Sequence, residues 1–520
     1  MTTTLSSTDT LTRDALAVLQ PGFVGTTAPE WLLRAIGGGL ASVGLFGRNI
    51  ATPEQLTALT RRLREERDDI LVAIDEEGGD VTRLEVRQGS SFPGNHALGA
   101  VDDTGLTRDV ARELGRRLAA CGVNLNWAPS ADVNSNPDNP VIGVRSFGAD
   151  PALVARHTAA YVEGLQSAGV AACVKHFPGH GDTAVDSHHA LPRIDVDLDT
   201  LHARELLPFR AAVAAGSRSV MSAHILLPAL DPERPATLSP RILTGLLREE
   251  LGFQGPIVTD GMEMQAIASV YGIERGSVLA IAAGADAICV GGGLADEDTV
   301  LRLRDALVTA VRTGELPEER LADAAARVRG LADWTRRARA ASEPGTAAQE
   351  GTAPGTATVS ADQGAASGRP DIGLVAARRA LRVTGTAAPL TRAPYVAVLT
   401  PVANIAVGEE TPWGLATELS RLLPGTESAT YGDTPAPDAP APRILTAAGD
   451  RTTVAVVRDA HRHPWMSATL DALLTARPDT LVVEMGLNEA PPRGALHIAT
   501  HGAARVCAQA AAEVIAGRVR

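Results

Sequence analysis

With 520 residues the chain exceeds one ordinary domain, and a composition of 45% hydrophobic and 21% charged residues excludes global disorder. The formal net charge of -13 and an aromatic content of only 3% argue against a nucleic-acid partner, because a phosphate backbone repels such a surface. The start, MTTTLSSTDTLTRDALAVLQPGF, has neither the basic opening nor the apolar core of a secretory leader, and no stretch reaches the ~20 apolar residues of a membrane span; a soluble, cytoplasmic chain with no membrane partner is expected.

Through the first 340 residues, eight short apolar runs alternate with longer amphipathic segments: PGFVG, ASVGLFG, ILVAID, VNLNWAP, VAACVKH, SVMSAH, PIVTD and DAICVGG. The intervening patterns TPEQLTALTRRLREE, DPALVARHTAAYVEGLQSAG and SPRILTGLLREELG read as helices, with Thr52, Asp150 and Ser239 as caps before a proline. Strand and helix repeated eight times predict an N-terminal TIM-like (β/α)8 barrel over 1–340. Asp75, Asp132, Lys175, His176, His224 and Asp260 each end or follow an apolar run, which in a barrel is the catalytic face. Cys121, Cys173, Cys289 and Cys507 are far apart and read as buried free thiols.

Residues 341–370 lack apolar periodicity and are rich in Ala, Gly, Thr, Ser and Pro, the composition of a flexible linker. Beyond them, strand-like YVAVLTPV, TTVAVVRD and DTLVVEMGL alternate with helix-like TPWGLATELSRLL, MSATLDALLTA and VCAQAAAEVIAG. This predicts a smaller open α/β sandwich domain over 371–520, without a comparable set of catalytic residue types.

The densest chemistry lies in KHFPGHGDTAVDSHHALP, residues 175–192. Lys175 and His176 end an apolar strand, and Pro178, Gly179 and Gly181 force a turn. Asp186 and His188 can pair as carboxylate and imidazole, the acid orienting one ring nitrogen while the other gives up a proton. Asp260, ending PIVTD and followed by glycine, offers an anionic nucleophile on a rigid element. Retaining acetal hydrolysis needs that combination, with the two functional groups ~5 Å apart in two-carboxylate enzymes. Taken singly, Asp260 reads as a helix cap and His188 as a structural histidine. His176, His180, Asp182, His188 and His189 also form a candidate divalent-metal set, although their spacing matches no helix-borne metal pair.

KHFPGHGDT followed by DSH and ALP resembles the loop of bacterial family 3 glycoside hydrolases, in the β-N-acetylhexosaminidase branch that includes exo-acting N-acetylglucosaminidases. DEEGGDVTRL, GVNLNWAPSADVN, GVRSFG, MSAHI, PATLSP and TDGMEM match further family segments in order, from about Phe23 to Gly293. The resemblance implies Asp260 as nucleophile, His188 with Asp186 as the acid/base dyad, and Asp75, Arg83, Arg145, Lys175 and His176 as sugar ligands, without metal or organic cofactor. It implies an amino-sugar oligosaccharide or glycoside as substrate and N-acetylglucosamine as product. Two positions depart from the pattern: Asp80 stands where a basic residue is common, and Gly261 where a second aspartate is common. A glycoside phosphorylase, a β-glucosidase or β-xylosidase and a non-catalytic sugar-binding protein are the rival readings. Oligomeric state and the natural aglycone leave no readable pattern.

Overall fold

The computed structural model describes residues 2–183, 191–342, 371–401, 411–433 and 439–518. The described residues form two compact units that do not follow chain order: one within Met1–Glu76, Thr107–Val133 and Asp150–Arg369, the other within Glu77–Leu106, Asn134–Ala149 and Pro370–Arg520. Of the predicted linker, residues 341 and 342 continue the helix Glu318–Ser342, and the remainder lies outside the described residues.

In the first unit, the eight apolar runs mark eight strands: β1 (Leu19–Pro21), β2 (Ser42–Leu45), β3 (Leu71–Ile74), β4 (Leu125–Asn126), β5 (Ala171–Phe177), β6 (Ser219–Ser222), β7 (Ile257–Thr259) and β8 (Ile288–Val290). β2 to β7 build a six-stranded, all-parallel half-barrel sheet in chain order, and β1 pairs with β8. A bridge from Val258 to Ala287 ties β7 to the approach to β8. Each strand is buried along its whole length, as parallel strands covered on both faces must be. The first run is displaced: the strand ends at Pro21, while Val24 is 70% exposed and Gly25 turns at φ 99°.

Two of the three expected helix caps form. Thr52 Oγ1 accepts from Gln55 N at 3.1 Å and Asp150 Oδ1 from Ala152 N at 2.9 Å. Ser239 does not cap: its hydroxyl donates to Asp231 Oδ2 at 2.7 Å, and the helix Arg241–Glu250 opens without a side-chain cap and continues in wider, π-type turns. All four cysteines are free and buried. Among the described residues no single helix is long and apolar enough to cross a membrane.

The second unit is built on a six-stranded sheet. Its strands are β9 (Arg382–Gly385), β10 (Tyr395–Leu399), β11 (Glu427–Tyr431), β12 (Thr453–Val457), β13 (Leu481–Glu484) and β14 (Leu496–Ala499), in the order β11-β10-β12-β13-β14-β9 with only β9 antiparallel. Alternation sorts the side chains: Val396, Val398, Val454 and Val456 pack with Leu419 and Ala511, while Tyr395, Ala397, Ala455 and Val457 pack with Ile444 and Leu470. Helices therefore cover both faces, and the apolar strands are central. β9 and much of β11 are exposed edge strands, and their polar sequences gave no apolar run to recognise.

Candidate active site

β5 carries two consecutive titratable residues just before its last residue, Phe177, and each is matched by a carboxylate that lies beyond another strand. Lys175 Nζ donates to Asp75 Oδ1, which follows β3, at 2.5 Å; the lysine side chain is 2% exposed. A buried ammonium is tolerated only with such a partner. His176 Nδ1 donates to Asp132 Oδ2 at 2.7 Å, fixing the hydrogen on that ring nitrogen. The Lys175–His176 peptide is cis, as are Ala128–Pro129 and Phe177–Pro178.

Asp132 is fully buried yet anionic. Burial alone would raise its carboxyl, but His176, His180 and the Ser130 hydroxyl outweigh burial and hold it well below the usual carboxylate range. Its Oδ1 accepts from His176 N at 3.2 Å and His180 N at 2.7 Å, and its Oδ2 also accepts from Ser130 Oγ at 2.8 Å. This one carboxylate anchors the first turn of the histidine-rich loop.

Asp260 follows β7, and its Oδ1 accepts from Gly261 N at 2.8 Å. His224, beyond β6, turns Nε2 to the Gly261 carbonyl at 3.0 Å and Nδ1 to Thr237 Oγ1 at 2.9 Å, steadying the backbone beside Asp260. Asp260 is within electrostatic reach of the β5 groups. Burial raises the Cys173 thiol on β5 to about 12, and Lys175, Asp75 and Asp260 all act on it. Burial and His176 lower His180 to about 4, against Asp132 and Asp260. Asp75, Asp132, Lys175, His176, His180 and Asp260 thus share one charged neighbourhood at the C-terminal strand ends.

Arg83 and Arg145 belong to the second unit. Arg145 is buried against Glu77, donating from Nη2 at 2.6 Å and from Nε at 3.0 Å to its two carboxylate oxygens, the two-pronged geometry that best orients a guanidinium. Arg83 is half-buried in the segment that follows. Asp186 and His188 lie outside the described residues, as does His189.

The loop is braced from 198–214. Arg204 donates to Asp182 Oδ2 at 2.6 Å and to Glu205 Oε1 at 2.6 Å. Gly179, at φ 124°, rests on Glu205: a Cβ there would come within 2.7 Å of Glu205 Oε2. Burial raises the Glu205 carboxyl to about 7, opposed by Arg204. A carboxyl raised in the folded state favours folding most fully below the unfolded value near 4.5, and that contribution is lost as pH rises through about 7. Glu205→Gln, which carries no such penalty, is therefore expected to gain on the wild type between pH 5 and pH 8, by up to ~3 kcal/mol, read as a Tm difference that grows with pH. A constant difference would contradict it.

Sequence reasoning placed Asp132 at a strand end without a role and did not single out Glu77, Arg204 or Glu205. Glu77 stands inside the Asp-x-Glu-Gly-Gly segment, and that motif was the available signal. Among the described residues no three His, Cys, Asp or Glu side chains are grouped to hold a metal ion.

The profile described as Glycosyl hydrolase family 3 N terminal domain matches residues 26–331. Beta-hexosaminidase A of Pseudoalteromonas piscicida is 38% identical over 312 residues, 55% of this chain and 52% of that protein, so the chain spans about half of that relative's length. A beta-hexosaminidase of Stenotrophomonas maltophilia (strain K279a) is 39% identical over 259 residues, 48% of this chain and 76% of that protein. The structure of a glycoside hydrolase family 3 beta-N-acetylglucosaminidase from Paenibacillus sp. str. FPU-7 superposes with a TM-score of 0.83 at 34% identity, covering 98% of this chain and 97% of that one.

Proposed function

The chain belongs to glycosyl hydrolase family 3, and from that premise we propose that it is a retaining exo-β-N-acetylglucosaminidase. It removes terminal, non-reducing N-acetylglucosamine from chitin- or peptidoglycan-derived oligosaccharides. The full-length likeness to the Paenibacillus beta-N-acetylglucosaminidase and the two beta-hexosaminidase relatives support this substrate class. The observation that carries it is the charged neighbourhood in which Asp260 stands near Lys175, Asp75 and the Asp132-anchored His176.

Catalysis proceeds by double displacement. Asp260 attacks the anomeric carbon while His188, oriented by Asp186, protonates the leaving oxygen; His188 then deprotonates the water that hydrolyses the glycosyl ester. An imidazole repels the nearby carboxylate less than a second carboxylate would. Asp75, Arg83, Arg145, Lys175 and His176 hold the sugar hydroxyls through charge-assisted hydrogen bonds. In architecture, we read the half-barrel and the β1–β8 pair as one (β/α)8 barrel over 1–340, joined by 341–370 to an α/β sandwich over 371–520. Residues 77–106 and 134–149 are then excursions after β3 and β4 that fold with the second unit.

A panel of aryl glycosides, assayed with and without phosphate, tests the reading. The N-acetylglucosaminide is expected to be cleaved preferentially, to free N-acetylglucosamine in both buffers. A sugar 1-phosphate formed only with phosphate would make the enzyme a phosphorylase, and preference for the glucoside or xyloside would overturn the substrate class.

A further inference from the structure

Asp80, the residue that departs from the family's basic preference, is not a bystander in the second unit. Its side chain is 2% exposed and receives two donors from the sheet: the Arg458 guanidinium, just beyond β12, binds Oδ2, and the Ala503 amide, ahead of the helix Arg505–Ile515, donates to Oδ1 at 2.7 Å. The segment leading back from Asp80 to Glu77 has little freedom. Gly79 turns at φ 65° and Gly94 at φ 84°, each so close that a Cβ on one would lie within 3 Å of the other's Cα. Gly79 N donates to Phe92 O at 2.9 Å, and Glu77 N to Val81 O at 3.1 Å. At the end of this segment, Glu77 holds Arg145. A small cavity is lined by Glu77, Gly79, Asp80, Asn95, Arg145 and Gly502, so the Asp80 anchor and the Arg145 guanidinium border the same space.

We propose that the C-terminal sheet sets the enzyme's affinity for the amino sugar: Arg458 and the Ala503 amide fix Asp80, which fixes the Glu77 turn and so the direction of Arg145. Arg458 is a positioning residue, acting through Asp80 and Glu77 on a sugar ligand. The inference rests on the reading of Arg145 as such a ligand. It gives the second unit a role in binding rather than in chemistry, so the effect falls on KM and not on kcat.

The test uses the full chain with Arg458→Gln, Arg458→Lys and, as a control, Arg421→Gln, which removes an exposed arginine that pairs with Glu418 on its own helix. Michaelis parameters on an aryl N-acetylglucosaminide, inhibition by free N-acetylglucosamine, and Tm are measured for each. Arg458→Gln is expected to raise KM and the inhibition constant roughly tenfold with kcat within about threefold, Arg458→Lys to recover only part of that loss and leave KM about threefold above the wild type's, and Arg421→Gln to match the wild type. A lowered Tm with unchanged KM and inhibition constant would reduce Arg458 to a structural residue and overturn the inference. Should Arg458→Gln fail to fold, Arg458→Lys decides: it keeps the charge but not the guanidinium geometry, and a KM equal to the wild type's counts against the proposal. A wild-type enzyme without activity on the N-acetylglucosaminide removes the underlying reading, and the inference with it; normal wild-type kinetics beside an unaltered Arg458→Gln removes the inference alone.

Discussion

Asp260→Asn is expected to lower kcat on an aryl N-acetylglucosaminide by at least about four orders of magnitude, more than ~5 kcal/mol of barrier, with Tm almost unchanged. The two side chains have the same shape, and an asparagine carbonyl can take over the hydrogen bond from Gly261 N, so the fold is expected to lose little. What disappears is the anion that attacks the anomeric carbon. The competing use of an aspartate here, capping a helix, predicts the reverse, since asparagine caps as well as aspartate. The structure also gives that use no support: the next helix, Gln265–Tyr271, begins five residues later with Met264 at its cap position and no side-chain cap. Asp260→Gly offers a second readout. With the carboxylate gone, added azide can enter from the vacated side and yield an α-glycosyl azide, a product that general loss of structure would not give. Wild-type turnover by Asp260→Asn would end the assignment.

Much of the first unit was legible because a parallel strand buried on both faces must be apolar along its length, so its end shows as the first titratable residue. Asp75, Lys175, His176 and Asp260 were found that way: Asp75 and Asp260 stand just beyond a strand, while Lys175 and His176 lie among the last residues of β5, which runs on to Phe177. What the residues touch was not legible. Asp132 and His176 are 44 positions apart, and Glu77 and Arg145 are 68 apart, so neither pairing leaves a local pattern. β1 was misplaced because Pro21 and Gly22 open a run whose apolar residues lie in the following turn. In the second unit β14 was missed because its four residues include His497, which breaks the apolar run, although the strand is buried. Nothing local signals that 77–106 and 134–149 pack with residues beyond 370, because that is a long-range contact preference and not a periodicity.

Asp132→Asn is expected to damage both stability and binding, although Asp132 is not one of the proposed substrate contacts. Four donors meet its carboxylate: His176 N and His180 N toward Oδ1, and His176 Nδ1 and Ser130 Oγ toward Oδ2. An asparagine amide must turn its NH2 toward one of these pairs and set donor against donor in a fully buried site. Removing one side of a buried charged cluster costs about 3–5 kcal/mol, which for a domain of this size lowers Tm by roughly 10 °C. The dependence on pH has a definite sign. The folded state holds the Asp132 carboxyl below its ordinary range, so its contribution is complete at neutral pH and fades as pH falls below about 4. The Tm gap between wild type and Asp132→Asn should accordingly be widest near pH 7 and narrow toward pH 3. The same substitution loosens the His176 tautomer, because an amide NH2 turned toward Nδ1 calls for a lone pair there where the carboxylate called for a hydrogen, and kcat/KM is expected to fall by about a hundredfold. A variant with wild-type Tm at pH 7 and wild-type kcat/KM would mean that Asp132 neither anchors the loop nor orients His176.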